Sequence, residues 1–196
     1  MRFFLIFSFI FFLTSCESEK ADMNINLQKI KFLNRNFPIP KSYKRISVDD
    51  YIKKIKDSLG RDAYTEREIQ RFKGLNRIGG LVEIFADTLN HENSITFHPN
   101  NYFKMSKEMQ HIYTSMLEDA FDVDYETYGI KYEKIESTFL DYGLAEIIKV
   151  KFKKDFNEFS HYFTHYVVSH NLRSFGVIVN NKENIDYQSI FDTYKL

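Results

Sequence analysis

The sequence predicts an α+β domain in which helices flank a mainly antiparallel sheet. Apolar residues recur with a helical period in segments between residues 48 and 121, and the period changes to two from Lys131 onward. The chain contains 20 Phe and 13 Tyr but no Trp, and these aromatic residues favour strands. Helical segments followed by a run of strands are typical of the α+β class.

The first elements follow an extended entry. Residues 24–36 are predicted to form a strap or a short first strand, and Phe37-Pro38-Ile39-Pro40 imposes an extended path because proline fixes its φ angle. Ser47 can cap a helix that ends at Gly60. A short second helix is predicted to end at Gly74.

A hairpin and a long helix follow. Residues 81–86 and 94–98 are predicted as paired strands, because turn-forming residues separate them. Ser106 can cap a long helix that extends to Phe121. The predicted buried stripe of this helix consists of Met109, Ile112, Tyr113, Met116, Leu117 and Ala120.

The last third of the sequence predicts an antiparallel meander. Strands are expected at about 132–141, 158–169 and 172–180, around a strand in which apolar residues alternate with lysines. The alternation predicts one dry face, with Ile148, Val150 and Phe152, and one wet face, with Lys149, Lys151 and Lys153. Residues 185–194 are predicted to close the chain as a helix packed on the sheet.

This order of elements resembles the PsbP-like α/β/α sandwich. The resemblance covers residues 36–196, and its carriers are Phe37-Pro38-Ile39-Pro40, Ser94-Ile95-Thr96-Phe97 and the closing segment 187–196. The segment 61–80 is longer than the corresponding segment of the family pattern. The resemblance implies a small accessory or assembly factor docked on a larger complex, without common catalytic residues.

The amino terminus predicts a lipid anchor. Arg2 precedes an apolar run of eleven residues, which as a helix would span only about 16 Å of a hydrocarbon core of about 30 Å. The run ends in Leu13-Thr14-Ser15-Cys16, which resembles the lipobox of a bacterial lipoprotein signal peptide. The resemblance implies cleavage before Cys16, a diacylglyceryl (thioether) lipid on its sulfur and an acylated (for example palmitoylated) new amino terminus. The alternative is an ordinary cleaved signal peptide with an incidental cysteine.

The domain boundaries follow from this anchor. Residues 1–15 are expected to be the signal peptide, 16–35 a lipidated tether and 36–196 a single domain. Acidic residues just after Cys16 resemble the surface-export signal of Bacteroidota lipoproteins. The alternative is a plain spacer on the periplasmic side of the outer membrane. The cell-surface face and the periplasmic face are therefore both retained as locations.

Composition excludes several classes of function. Basic and acidic residues are balanced at 27 each, so no general field attracts nucleic acid, and we expect no nucleic-acid partner. Cys16 is the only cysteine, and its acylation would leave no thiol for disulfides or redox chemistry.

The histidines are the first candidates for a metal site, but their spacing does not support one. His161, His165 and His170 are close in sequence, and His91 and His98 form a second pair. On a strand, however, the first two would lie roughly 13 Å apart, too far for one ion.

The sequence also lacks a complete motif for a nucleophilic serine or for a calcium-binding loop. No Gly-x-Ser-x-Gly elbow is present. The acidic cluster after the long helix, Asp119, Asp122, Asp124 and Glu126, departs from an EF-hand loop and is interpreted as a solvated helix end. We expect neither catalytic residues nor a metal or other cofactor.

Two functions from different classes remain. The first is a non-catalytic envelope lipoprotein that binds an envelope protein partner, with Cys16 as its membrane anchor and the late sheet as candidate surface. Lys149, Lys151, Lys153 and Lys154 could form a basic stripe there, or only a soluble face or protected edge. The second is a lipoprotein for uptake that binds a small molecule or glycan in an aromatic cavity between the sheet and the long helix.

Overall fold

The computed structural model describes residues 19–20, 24–59, 63–79, 81–90, 92–156 and 159–195. The strands are β1 Glu19–Lys20, β2 Ile25–Ile30, β3 Arg35–Pro40, β4 Tyr43–Ile46, β5 Glu83–Asp87, β6 Ser94–Asn100, β7 Lys131–Asp141, β8 Glu146–Phe156, β9 Phe159–His170, β10 Arg173–Asn181 and β11 Ile185–Asp186. The helices are α1 Val48–Leu59, α2 Ala63–Gly79, α3 Lys107–Tyr128 and a C-terminal 3-10 helix, Gln188–Tyr194.

A seven-stranded antiparallel sheet forms the centre of the fold, in the order β4-β5-β6-β10-β9-β8-β7. Strands β7 to β10 follow one another as the predicted meander, because short turns join them. Strand β10 then pairs with β6 of the predicted hairpin. The α+β class with a mainly antiparallel sheet is therefore confirmed.

The two faces of the sheet carry separate apolar cores. One face packs against the β2–β3 hairpin and the 3-10 helix, which contribute Ile30, Phe37 and Phe191 to its core. The other face, here called the helix face, packs against α3 through Met109 and Leu117 and against α1 and α2 through a further cluster. The sheet thus lies between two layers, and both faces are buried.

The amino-terminal segment is part of the packed structure. β2 pairs with β3 from Ile25 to Ile30, and Ile30 is fully buried. Folded structure therefore begins before residue 36, where the sequence predicted the domain to start. β1 forms a short parallel pair with β11.

Two predicted helices are longer than expected. α2 continues through Gly74 to Gly79, since glycine weakens a helix without ending it. α3 begins at the predicted cap, where Ser106 accepts a hydrogen bond from the Met109 N–H at 3.3 Å. It ends at Gly129, whose φ of 73° is left-handed. The predicted last helix is instead the strand β11 followed by the 3-10 helix.

The orientation of α3 differs from the prediction. Ile112, Met116 and Ala120, which the apolar pattern placed on the buried stripe, are exposed. Polar contacts set the rotation of the helix: Gln110 Nε2 donates to Ser137 Oγ of β7 at 2.8 Å, and Thr114 Oγ1 bonds the same hydroxyl at 2.8 Å. Because α3 has two neighbouring apolar stripes, hydrophobicity alone did not distinguish them.

Candidate functional site

An aromatic cavity of about 130 Å³ opens on the helix face, between α1 and α2 and the far ends of β8, β9 and β10. The apolar side chains that line it are Tyr51, Ile55, Phe72, Phe156, Phe159 and Phe163. The charged or polar side chains are Lys54, Glu68, Arg71, Glu92, Lys154, His161 and Asn180. Although seven of these side chains are charged or polar, most of the surface that lines the cavity is apolar, as is usual for a ligand site.

The helical wall is held by two aromatic rings. Tyr51 of α1 and Phe72 of α2 are both buried, and their rings pack edge to face with centroids 4.8 Å apart. The Tyr51 hydroxyl forms a 3.0 Å hydrogen bond with Ser94 Oγ of β6. Since aromatic pairs and a buried hydroxyl bond fix the ring positions, this wall is preformed.

The floor comes from alternate residues of the sheet. On β8 the even-numbered residues from Ile148 to Phe152 lie in the core of the helix face, and Lys154 continues this row into the cavity. Burial lowers the pKa of Lys154 to about 7. Its amine is therefore only partly protonated at neutral pH.

Ion pairs hold the two carboxylates of the lining. Glu68 Oε2 lies 2.6 Å from Arg71 Nη2, and Glu92 Oε2 lies 3.5 Å from His161 Nε2 and 3.7 Å from Lys182 Nζ. Burial lowers the pKa of His161 more than Glu92 raises it. His161 is consequently neutral near pH 7, and its contact with Glu92 is a hydrogen bond more than an ion pair.

A buried histidine pair lies on the same face of the sheet. The rings of His98 on β6 and His165 on β9 have centroids 5.9 Å apart, and His165 Nδ1 lies 2.5 Å from the hydroxyl oxygen of Tyr113 on α3. Burial lowers the pKa of both histidines, that of His165 to about 3. Both rings are neutral in the folded protein at pH 7.

The predicted chemical residues are mostly dispersed. His170 lies elsewhere, with its Nδ1 2.5 Å from the Leu144 carbonyl oxygen. Among the described residues no group of three His, Cys, Asp or Glu side chains is placed to hold a metal ion. His91 and the predicted lipid attachment site, Cys16, fall outside the described residues.

The acidic cluster is only partly a solvated helix end. Three of its members are exposed, but Asp124 is buried and its Oδ1 lies 2.5 Å from Arg67 Nη2 of α2. Asp124 thus joins α2 to α3.

The prediction that Lys149, Lys151 and Lys153 form a solvent-exposed face of β8 is wrong. Lys149 and Lys151 are 1% and 2% exposed, because the segment around β11 covers this face. Lys149 Nζ contacts Glu136 and Asp186 carboxylate oxygens at 2.7 and 2.9 Å, and Lys151 Nζ donates to the Ile185 carbonyl oxygen at 3.2 Å. The basic stripe therefore does not form, since Lys149 and Lys151 are interior groups and Lys154 points to the opposite face.

Sequence reasoning did not find the cavity residues. The period-two pattern of β8 does place Lys154 on the dry face with Phe152, and this was the available signal. The charged residues of α2 and of the β5–β6 turn reach the cavity only through tertiary packing. The cavity lies under α1 and α2, and not under the long helix α3.

No helix in the described ranges is long and apolar enough to cross a membrane. The chain matches no protein-family model and has no significant match among the curated proteins. Among solved structures it is similar to the solution structure of cyanobacterial PsbP (CyanoP) from Synechocystis sp. PCC 6803, with 10% sequence identity and a TM-score of 0.49. The similarity covers 92% of this chain and 90% of that chain.

Proposed function

We propose that this protein is a lipid-anchored binding protein of the cell envelope, without catalytic activity, whose aromatic cavity takes a small amphipathic molecule. The cavity is the observation that carries the proposal. Six apolar side chains line it, and its volume is close to the roughly 150 Å³ of an apolar cavity that accepts a benzene ring. A ring or short chain fits inside, and the polar side chains of the lining can bind a polar head.

The cavity supports a small molecule better than a glycan. Sugars present hydroxyl groups that need hydrogen-bond partners when they are buried, whereas most of this lining is apolar. It also supports binding more than catalysis, because Glu68 is already paired with Arg71 and Glu92 with Lys182.

The lipobox Leu13-Thr14-Ser15-Cys16 supports the anchor. A lipidated Cys16 would hold the domain at a membrane of the envelope, on the periplasmic or the surface face of the outer membrane, because several acyl chains bind a bilayer stably. Metabolic labelling with palmitate tests this point. The wild-type protein is expected to carry the label and Cys16→Ser to lose it. Equal labelling of both would refute the anchor.

The ligand site is tested by thermal unfolding of the full chain in lipid nanodiscs, with and without 3-phenylpropanol, a ring on a short polar chain. Binding to the folded state raises the melting temperature by mass action. Ile55→Trp should fill the cavity and abolish this rise. Ile112→Trp, on the exposed side of α3, is the matched control and should keep it. Equal behaviour of the two variants would refute the proposed site.

A separate observation supports a second candidate function, an accessory role with an envelope protein partner. Ile112, Met116, Ala120 and Val123 form a stripe of exposed apolar side chains along α3, and the exposed carboxylates of Glu108, Asp119 and Glu126 lie along one side of it. Such a surface fits a partner with an apolar stripe flanked by Lys or Arg.

The accessory role is tested with a photo-crosslinking amino acid at Met116 in intact cells. Position 89, whose leucine is 85% exposed away from α3, is the control. We expect a crosslinked partner at position 116 alone, and its loss when Asp119 and Glu126 are changed to lysine. A product that survives this charge reversal would contradict the predicted complementarity.

A further inference from the structure

We infer that the ligand of the aromatic cavity is an apolar monocarboxylic acid whose carboxylate binds the Lys154 amine. This inference rests on the proposed ligand-binding function and names the chemical class of the ligand. It follows from the charge of the lining, the position of Lys154, an unsatisfied donor on α2 and the shape of the apolar walls.

Among the described residues of the lining, basic side chains outnumber carboxylates, so the lining is net positive when Lys154 is protonated. Its cations are Lys54, Arg71 and Lys154, and its carboxylates are Glu68 and Glu92. His161 adds no charge near pH 7 because burial lowers its pKa. An anionic ligand is therefore favoured over a cationic one, and a low-polarity cavity strengthens this preference.

Lys154 is the cation that belongs to the floor. It follows Phe152 on the helix face of β8 and precedes Phe156, which also lines the cavity. Burial lowers the pKa of its amine to about 7. A carboxylate bound beside the amine would raise this pKa again, because an opposite charge favours the protonated form. Binding above pH 7 should therefore take up a proton.

Arg71 supplies an unsatisfied donor. Its Nε is buried and has no hydrogen-bond acceptor in the part of the chain that the structure describes, although its Nη2 pairs with Glu68. A buried donor without a partner is unfavourable. A ligand oxygen at the helical wall would relieve this. A carboxylate oxygen would form a stronger, charge-assisted hydrogen bond with the guanidinium than a neutral hydroxyl would, so Arg71 favours an acid as well.

The apolar walls select the body of the ligand. Tyr51 and Phe72 line the cavity from the helices, and Phe163 lines it from the sheet. A phenyl ring matches the cavity in size. The acid 3-phenylpropionate is therefore a suitable probe, and 3-phenylpropanol and 3-phenylpropylamine have the same body with a neutral or a cationic head.

The test is calorimetric titration of the full chain in nanodiscs at pH 8 with the three probes, in two buffers of different ionisation enthalpy. Empty nanodiscs correct for partition into lipid. We expect the acid to bind at least about tenfold more tightly than the alcohol, with uptake of nearly one proton, since an amine of pKa about 7 is mostly neutral at pH 8.

Three variants separate charge from structure. Lys154→Met should lose most of the preference for the acid and the proton uptake. Lys154→Arg should bind the acid without proton uptake, because arginine is already charged at pH 8. Lys153→Met is the matched control and should behave as the wild type, because Lys153 points to the other face and pairs with Asp155 at 3.1 Å.

The possible failures are distinguishable. If the alcohol or the amine binds as tightly as the acid, the inference on ligand class is wrong and the cavity remains a binding site. If no probe binds to the protein, the proposed ligand-binding function fails together with the inference. Proton uptake that persists in Lys154→Met would overturn the role of Lys154 alone.

Discussion

Gly176 on β10 is predicted to be intolerant of any side chain. A Cβ atom at this position would lie 3.1 Å from Cδ2 of His98 and closer still to its Nε2 and Cε1 atoms. His98 is buried and packs beside His165, which Tyr113 holds by a hydrogen bond. The imidazole ring therefore has little room to turn away. Gly176→Ala should overpack this region and lower the free energy of unfolding by about 1–3 kcal/mol.

The assay is urea denaturation followed by circular dichroism, with the same substitution at two glycines. Gly74 lies inside α2, where an added Cβ atom would meet no neighbouring group within 4 Å, so Gly74→Ala should raise the free energy of unfolding by about 0.5–1 kcal/mol. The two alanine variants are therefore expected to change stability in opposite directions.

A double-mutant cycle identifies the cause. His98→Ala removes the ring that meets the new methyl group, so Gly176→Ala should cost much less in that background, with a coupling of at least about 1 kcal/mol. If Gly176→Ala changes stability by less than about 0.5 kcal/mol, or if its cost is the same with and without His98, the packing of His98 over Gly176 is refuted.

Three further predictions concern charge and orientation. Burial lowers the pKa of His165 to about 3, while an unfolded histidine titrates near 6.5. The unfolded state therefore binds more protons as the pH falls, and the free energy of unfolding should decrease by about 1–2 kcal/mol from pH 7 to pH 5. Urea titrations of the wild type and of His165→Gln at the two pH values measure this decrease. Asp186→Ala should destabilise the fold by about 2–4 kcal/mol, because it leaves the buried Lys149 with fewer acceptors; the urea midpoint at pH 7 measures it. Met116→Lys should change the melting temperature little and Leu117→Lys should lower it by several degrees, because only Leu117 packs against the sheet.

A specific result would contradict each of these three predictions. A flat stability between pH 7 and pH 5 would mean that His165 is charged or exposed in the folded protein. Wild-type stability of Asp186→Ala would show that Lys149 does not depend on this carboxylate. A larger loss at Met116 than at Leu117 would reverse the orientation of α3.

The sequence predicted the class and most elements because local signals agreed with the final packing. Ser47 and Ser106 cap α1 and α3 as their side chains allow, and strict alternation from Lys131 onward marked the meander. Signals of this kind depend on neighbours within a few residues, so they can be recognised without knowledge of the fold.

Features that depend on distant contacts were not predicted. The lysines of β8 looked solvated, because nothing in their local pattern indicates that Asp186 and the Ile185 carbonyl cover that face. The orientation of α3 depends on Ser137, which lies on another element. The cavity likewise needs α1, α2 and three strands together. The alternation on β8 puts Lys154 on the same face as Phe152, but the sequence prediction grouped it with the other lysines in a basic stripe.

The most direct test of the central claim is to identify what the cavity holds in the cell. The full chain and its Ile55→Trp and Ile112→Trp variants would be extracted from the envelope under mild conditions, and native mass spectrometry would measure any bound small molecule. We expect an apolar acid on the wild type and on Ile112→Trp, and none on Ile55→Trp. The same occupancy in all three proteins, or no bound molecule on any, would contradict a ligand site under α1 and α2.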